Sequence, residues 1–475
     1  MNRRNLIAGL TALSLSPVGV ALAPASPAAA QELSQLTLVE AIAIAERNAP
    51  TVRAAEFGLE SAEARVTEIT GGAFPQLSLS TSAFSFNMLG TGSGGAGLGM
   101  MGMGGMGGLG GMSGMGGLGM MGGLGGLGMM GLGGGGNTTT QVQLSANQVL
   151  FDAFQTQDGL KIADSTRDLA RVEILSARRR AQFDAANAYL GVLRAESLLE
   201  VSRVALEQAR AHVEQAQLRE RSGVGTRFEV LQAQTQLANT QGQFSQASNR
   251  VELARLSLGT ALGVSAMNAR LDSALTLPRA AVSTAVYEAA IANRLEVQQI
   301  DLKREMDETT VTLRSRAYLP TVAGIGMLTY QPGSMSYYLL GASMNWTLVN
   351  GGKTKAQIAQ AEAEVAKDLA QLESVRRQVA LDIQNALSAR TEAIDRVAIA
   401  QQGVAAAAEG YRLAQVRFQA GMGTGLEVID AQTSLAQAQS NLVQAQYDVQ
   451  AAELRVTQAL GLELQTVLAK KGSES

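Results

Sequence analysis

The chain contains one long unit twice. Gly-Val-Gly-Thr-Arg-Phe-Glu-Val-Leu-Gln-Ala-Gln-Thr-Gln-Leu-Ala (Gly223 to Ala238) returns 198 residues later as Gly-Met-Gly-Thr-Gly-Leu-Glu-Val-Ile-Asp-Ala-Gln-Thr-Ser-Leu-Ala (Gly421 to Ala436). From Gly223 to Gly263, 19 of the 41 aligned positions are identical, more than shared helical composition supplies. Any fold for this sequence must accommodate an internal two-fold repeat. Repeat 1 is placed at residues 31–263 and repeat 2 at 295–463, with 264–294 between them and a tail at 464–475.

Proline sets where helices can run. No proline lies between Pro75 and Pro278, and none follows Pro332. Proline breaks helix interiors, so both gaps permit very long helices. Helices are expected over 154–221 and 353–419. In the first, Phe183, Ala186, Leu190, Leu193, Ser197, Val201 and Val204 recur at steps of three and four. A helix of this length reaches roughly 100 Å at about 1.5 Å per residue. Each ends at glycines, Ser222-Gly223-Val224-Gly225 and Ala420-Gly421-Met422-Gly423, which suit a helix-closing turn. Return helices are expected over 227–263 and 425–463. Their apolar seams alternate large residues with mostly Ala, from Val230, Ala233 and Leu237 in one and Val428, Ala431 and Leu435 in the other. This is coiled-coil packing. Aromatics make up 4% of the chain, with one Trp, which argues against large globular cores.

Strand patterns precede each long helix, at 75–86 and 139–151 in the first copy and 320–330 and 336–349 in the second. Val142, Leu144 and Ala146 share one face, opposite Gln141, Gln143, Ser145 and Asn147. Tyr338, Leu340, Ala342 and Met344 oppose Gly341, Ser343 and Asn345 in the same way. Such alternation over about 10 residues fits a transmembrane barrel strand, and it fits a soluble hairpin equally. Four strands cannot close a barrel, which needs about eight, so a barrel would have to be shared between chains. The first strands align at an offset of 245 rather than 198. A Gly/Met-rich insertion at 88–136 accounts for the difference and is expected to replace a short hairpin loop.

Residues 1–30 read as a signal peptide: Arg3 and Arg4, an apolar stretch from Leu6 to Ala23, and Ala28-Ala29-Ala30 as a cleavage site. The sequence has no Cys, which removes disulfides, thiol chemistry and a lipidated cysteine. A net charge of −3 gives no sign of nucleic-acid binding.

Several segments resemble the outer-membrane efflux protein (TolC) family. Leu36-Thr37-Leu38-Val39-Glu40-Ala41 with Asn48-Ala49-Pro50 is similar to its opening motif, although Ala49 separates the Asn from the Pro. Ala73-Phe74-Pro75-Gln76-Leu77 and Ala317-Tyr318-Leu319-Pro320 resemble its approaches to the strands, and Ala420-Gly421 through Glu427-Val428-Ile429-Asp430-Ala431-Gln432 resembles its most recognisable motif. The resemblance implies a mixed α and β membrane protein. A homotrimer would form a 12-stranded outer-membrane β-barrel continuous with a 12-helix periplasmic α-barrel. The 264–294 segment and both tails would form an equatorial belt.

The implied function is an outer-membrane exit duct for a tripartite efflux pump or type I secretion system. It would be passive, non-enzymatic and cofactor-free, and gated at its periplasmic tip. The implied setting is the outer-membrane lipid of a Gram-negative-type bacterium, with the helices extending into the periplasm. Implied partners are a periplasmic adaptor protein and an inner-membrane transporter of the RND, ABC or MFS type, with no nucleic acid.

Candidate gate residues follow from the resemblance. Glu427 and Asp430 would line the closed mouth as carboxylate rings, which favour cations; as helix N-terminal acids they also suit the macrodipole. Glu229 repeats Glu427, while Gln232 replaces Asp430 and Arg227 replaces Gly425. Phe418 stands where an aromatic hydroxyl can act as a latch, so the latch is expected to be weaker, or Arg227 with Glu229 and Glu427 to replace part of it. Gly223, Val224, Gly225, Thr226, Gly421, Met422, Gly423 and Thr424 would meet the adaptor, and the same glycines suit simple turns. His212, the sole histidine, is expected on a solvated surface between Arg210 and Glu214. The methionines of 88–136 invite Cu(I) binding, but no Cys or His accompanies them, and a low-complexity surface loop with no metal is the favoured reading. The competing reading of the whole is a structural coiled-coil protein spanning the envelope without transport.

Overall fold

The structure is a computed structural model that describes residues 35–85, 138–264, 269–272, 284–332 and 336–464. The signal peptide at 1–30, the Gly/Met insertion at 88–136, nearly all of the 464–475 tail and parts of the 264–294 segment lie outside the described residues. The elements in chain order are β1 (Gln35–Leu36), α1 (Leu38–Asn48), α2 (Pro50–Gly71), β2 (Gln76–Ser85), β3 (Thr138–Phe151), α3 (Gln155–Arg221) and α4 (Arg227–Leu262). There follow β4 (Arg270–Leu271), α5 (Thr284–Asn293), α6 (Leu295–Ser315), β5 (Thr321–Tyr330), β6 (Tyr337–Asn345), α7 (Lys353–Gln419) and α8 (Gly425–Ala459). α3 and α7 each run 67 residues.

Local chemistry starts and stops these helices. Thr37 caps α1: its hydroxyl accepts from the Glu40 amide, and the Glu40 carboxylate accepts from the Thr37 amide at 3.0 Å. This is a capping box, which gives the Thr37-Leu38-Val39-Glu40 segment a structural role. Pro50 opens α2 at the first helical position, where the missing N–H has no intrahelical partner to lose. α8 stops at Ala459, short of the expected end at Glu463. Gly461 takes φ +67, the Leu462 amide donates back to the Thr457 carbonyl, and the Arg294 guanidinium takes the Gln458 and Ala459 carbonyls at 3.1 and 2.8 Å. A left-handed glycine and a cation on the last carbonyls end a helix efficiently.

The chain divides into two compact units, and each draws on both repeats. The first comprises the chain up to Glu56, Glu173–Val297 and the chain from Val375. Its largest core packs Leu36, Leu38 and Ile42 against Phe183, Tyr189 and Leu190 of α3, closed by Leu258 and Leu262 of α4. Tyr189 is fully buried, and its hydroxyl donates towards the carbonyls of Leu36 (3.0 Å) and Asp272 (2.9 Å). It thereby ties α3 to the short parallel pair β1–β4, in which Leu36 faces Leu271. A second cluster packs Ala290 of α5 against Val379, Ile383 and Ala386 of α7 and Val456 of α8.

The second unit comprises Phe57–Val172 and Gln298–Ser374. It holds an antiparallel sheet in the order β2-β3-β5-β6. Register places Leu79, Leu144, Leu328 and Tyr338 in one row across all four strands. The adjacent row on that face carries Leu77, Ala146, Gly326 and Leu340. Leu77, Leu79, Leu328, Tyr338 and Leu340 are all exposed. On the other face Ser78 and Ser145 pair through their hydroxyls at 2.6 Å. β6 ends at Asn345 rather than Val349. Its last partner is Thr321; the next would be Pro320, which has no N–H to extend the ladder, and Trp346 instead donates its indole N–H to the Tyr318 carbonyl at 3.0 Å.

Candidate functional site at the helix turns

Two turns of the same design join α3 to α4 and α7 to α8. In the first, Gly223 takes φ +76, its amide donates to the Glu220 carbonyl, and the amides of Val224 and Gly225 both donate to the Arg219 carbonyl at 3.0 and 2.9 Å. In the second, Gly421 takes φ +72, and the amides of Met422 and Gly423 donate to the Arg417 carbonyl at 2.9 and 3.1 Å. This Schellman arrangement satisfies the last carbonyls of each long helix. A β-carbon at Gly225 would lie 2.9 Å from that of Arg219, and one at Gly423 would lie 3.1 Å from that of Arg417. The close approach therefore requires glycine at Gly225 and leaves a tighter than usual fit at Gly423.

Thr226 and Thr424 then cap α4 and α8, each hydroxyl accepting from the amide of the Glu three residues on, at 3.3 Å. Val224 and Met422 project at the turns, 68% and 70% exposed. Phe228 and Leu426, on the first turns of the return helices, are exposed as well. Sequence reasoning overlooked both, although an apolar residue two positions after each N-cap was a readable signal.

Glu427 and Asp430 are exposed on the first turn and a half of α8. The Glu427 carboxylate lies 3.9 Å from the Arg417 guanidinium, and Thr424 donates its hydroxyl to it at 3.4 Å. Arg227 is exposed and pairs with Glu220 of α3 at 3.6 Å. Within one chain it therefore meets neither Glu229 nor Glu427. Glu229 turns inward, with Oε2 buried and without a hydrogen-bond partner among the described residues.

Phe418 is 1% exposed, packed with Ala414 and Val428 and flanked by Tyr411 and Ala431. Arg219 of α3 covers its ring at 4.5 Å and donates to its carbonyl at 3.0 Å. Phe418 is thus held by packing and a cation–π contact. The expectation for His212 is overturned: it is 6% exposed, and its ring lies 5.6 Å from that of Phe418. Burial pushes its pKa below the ordinary value, against an upward pull from Glu229. The missed signal was periodic. His212 sits three residues after Ala209 and four before Ala216, both buried, so it belongs to the inward stripe of α3.

Among the described residues no group of three or more His, Cys, Asp or Glu could hold a metal ion, and no helix is long and apolar enough to cross a membrane.

The family model described as outer membrane efflux protein matches residues 41–264 and 286–462. The chain belongs to that family, whose members are channel proteins rather than enzymes, and its role is that of an outer-membrane exit duct for efflux. The outer membrane efflux protein BepC of Brucella suis biovar 1 (strain 1330) is 26% identical over 337 residues, covering 68% of this chain and 72% of the relative. The outer membrane protein TolC of Escherichia coli (strain K12) is 23% identical over 357 residues, covering 70% and 72%. Among solved structures, the outer membrane protein VceC of Vibrio cholerae superposes with a TM-score of 0.65 at 20% identity, over 90% of this chain and 96% of that one. The open state of the Neisseria gonorrhoeae MtrE outer membrane channel gives 0.66 at 17% identity, over 90% and 89%. The fold is that of these channels.

Proposed function

We propose that three copies of this chain close their sheets into one 12-stranded barrel in the outer membrane, with the helices forming a hollow cylinder in the periplasm. The observation that carries this is the four-stranded sheet. Its apolar face is exposed across all four strands, and β2 and β6 are open edges. Open edges and a large apolar face are liabilities in water, and both vanish when a barrel closes in lipid. The strands are 9 to 14 residues long, enough to span a bilayer at a tilt. Two copies would supply eight strands, whose interior is filled by side chains. Three is the smallest number that leaves a lumen. A structural coiled-coil protein has no use for such a face.

The duct is passive and catalyses nothing. The turns at Val224 and Met422 receive a periplasmic adaptor, through which an inner-membrane transporter of the RND, ABC or MFS type supplies energy. The system served is a tripartite efflux pump or a type I secretion system. Glu427 and Asp430 ring the closed mouth and select cations, and the two repeats supply equivalent hairpins around it. Single-channel recording in planar bilayers tests this, comparing the parent with Glu427→Ala plus Asp430→Ala. The parent should give a small, cation-selective conductance, and the double variant should lose selectivity. Well-folded, membrane-inserted protein that passes no current would overturn the reading.

A further inference from the structure

We propose that His212, Glu229 and Phe418 form an acid-operated contact that holds the two helix hairpins together at neutral pH and releases them as the pH falls. The inference deepens the gate reading above and, in its functional consequence, rests on it.

Four helices converge on this histidine. It projects from α3, its ring lies 5.6 Å from that of Phe418 on α7, and its Nε2 lies 3.9 Å from where a β-carbon on Gly425 of α8 would stand. Glu229 of α4 lies against the same spot, its Cγ 4.0 Å from that position. Three polar atoms are buried here without hydrogen-bond partners among the described residues: Nδ1 of His212, Oε2 of Glu229 and Nε of Arg219, whose guanidinium covers Phe418. A buried donor or acceptor left unpaired costs about 1–3 kcal/mol. The contact is therefore polar at its centre, apolar at its rim and poorly satisfied when the imidazole is neutral.

The charges around the imidazole decide its response. On α3 itself, Arg210 and Glu214 flank it and are exposed, and Arg219 stacks on Phe418. α4 contributes Glu229. α7 contributes Tyr411, beside the Phe418 cluster, and Arg417, which lies next to Glu427 of α8; Asp430 of α8 is exposed. Glu229 is the one group among these whose charge counters the burial penalty on the imidazolium.

The direction of the effect follows. Burial favours the neutral ring, so the closed contact binds fewer protons than an opened, solvated one, where the imidazole titrates near ~6.5. The closed state therefore keeps its full advantage above about pH 6.5 and loses it as the pH falls below that value. A protonated ring in this contact would also sit beside Phe418, which already carries the Arg219 cation.

His212 is the sole histidine, and the chain has no cysteine, so both titration and labelling are clean. Spin labels at Ser222→Cys and Ala420→Cys, in full-length protein diluted with unlabelled chains, report the separation of the two turns. Between pH 7.5 and 5 the parent distribution should shift to longer distances, with its midpoint below about 6.5. His212→Gln and His212→Phe, neither of which can be protonated, should not shift. Glu229→Gln should move the midpoint to higher pH, because without the counter-charge the closed contact tolerates the imidazolium even less. A parent distribution that stays fixed over this range, or a shift of equal size in both histidine variants, overturns the proposal. Bilayer recordings over the same range separate it from the gate reading. A pH-dependent distance accompanied by a rising open fraction supports both. A pH-dependent distance with unchanged conductance upholds the contact and removes it from the gate.

Discussion

At the scale of single residues, glycine acts here through two different mechanisms that a substitution can separate. Gly225 is required because the α3–α4 turn folds its backbone onto Arg219. Gly242 lies in α4 with nothing within 4 Å of a built β-carbon and only costs helix propensity. Gly242→Ala should stabilise α4 by roughly 0.5–1 kcal/mol. Gly225→Ala should loosen the turn, so that the amides of 223–226 exchange with solvent about tenfold faster, equivalent to ~1.4 kcal/mol. Hydrogen exchange read by mass spectrometry distinguishes the two, and unchanged exchange at the turn in Gly225→Ala would contradict the close-approach argument. The strand-to-helix elbow shows a related asymmetry. Gly351 and Gly352 take φ of +63 and +85, whereas Ala153 and Phe154, 198 residues earlier, take +55 and +64. Left-handed backbone costs a non-glycine residue of order 1–3 kcal/mol. Phe154 is held there by the edge of Phe151 and by Arg316, which covers its ring and donates to its carbonyl.

At the scale of elements, α3 is anchored at Tyr189. Burial, reinforced by the charges of Asp272, Glu196 and Glu40, pushes its phenol up to about 12. A raised phenol pKa means that the folded form prefers the neutral ring. Its contribution is complete below about pH 10 and is lost as the pH rises from there through about 12. Exchange of the β1–β4 amides should therefore stay flat to about pH 10, after correction for intrinsic rates, and accelerate above it. Tyr189→Phe removes the hydroxyl that donates to the Leu36 and Asp272 carbonyls, costing about 0.5–1.5 kcal/mol. It should abolish the alkaline step and raise β1–β4 exchange at pH 7. A variant that retained the step would move the titrating group elsewhere.

At the scale of the whole molecule, the two faces of the sheet belong to different solvents. Leu340 lies on the apolar face and Ser343 on the opposite one. If that apolar face meets lipid, Leu340→Lys should cost about 2–4 kcal/mol near mid-membrane and deplete the heat- and SDS-resistant assembled form in the outer-membrane fraction. Ser343→Lys, facing a lumen, should assemble normally. Equal assembly of both variants would argue against a barrel.

The sequence by itself determined everything that local chemistry controls. The lengths of α3 and α7 follow from proline-free stretches, and the turns from glycines placed where the backbone becomes left-handed. The sidedness of β3 and β6 follows from period-two alternation. These features need only neighbours within a few residues. What the tertiary structure decided depends on partners far along the chain. β6 stops at Asn345 because the residue facing the next position is Pro320. The two compact units each combine both repeats because α4 packs against α8 in one and β3 pairs with β5 in the other. His212, which looks like a surface residue beside Arg210 and Glu214, is buried because Phe418 arrives from α7, 206 positions away in the chain. Periodicity marks which face of a helix turns inward; only packing determines what that face meets.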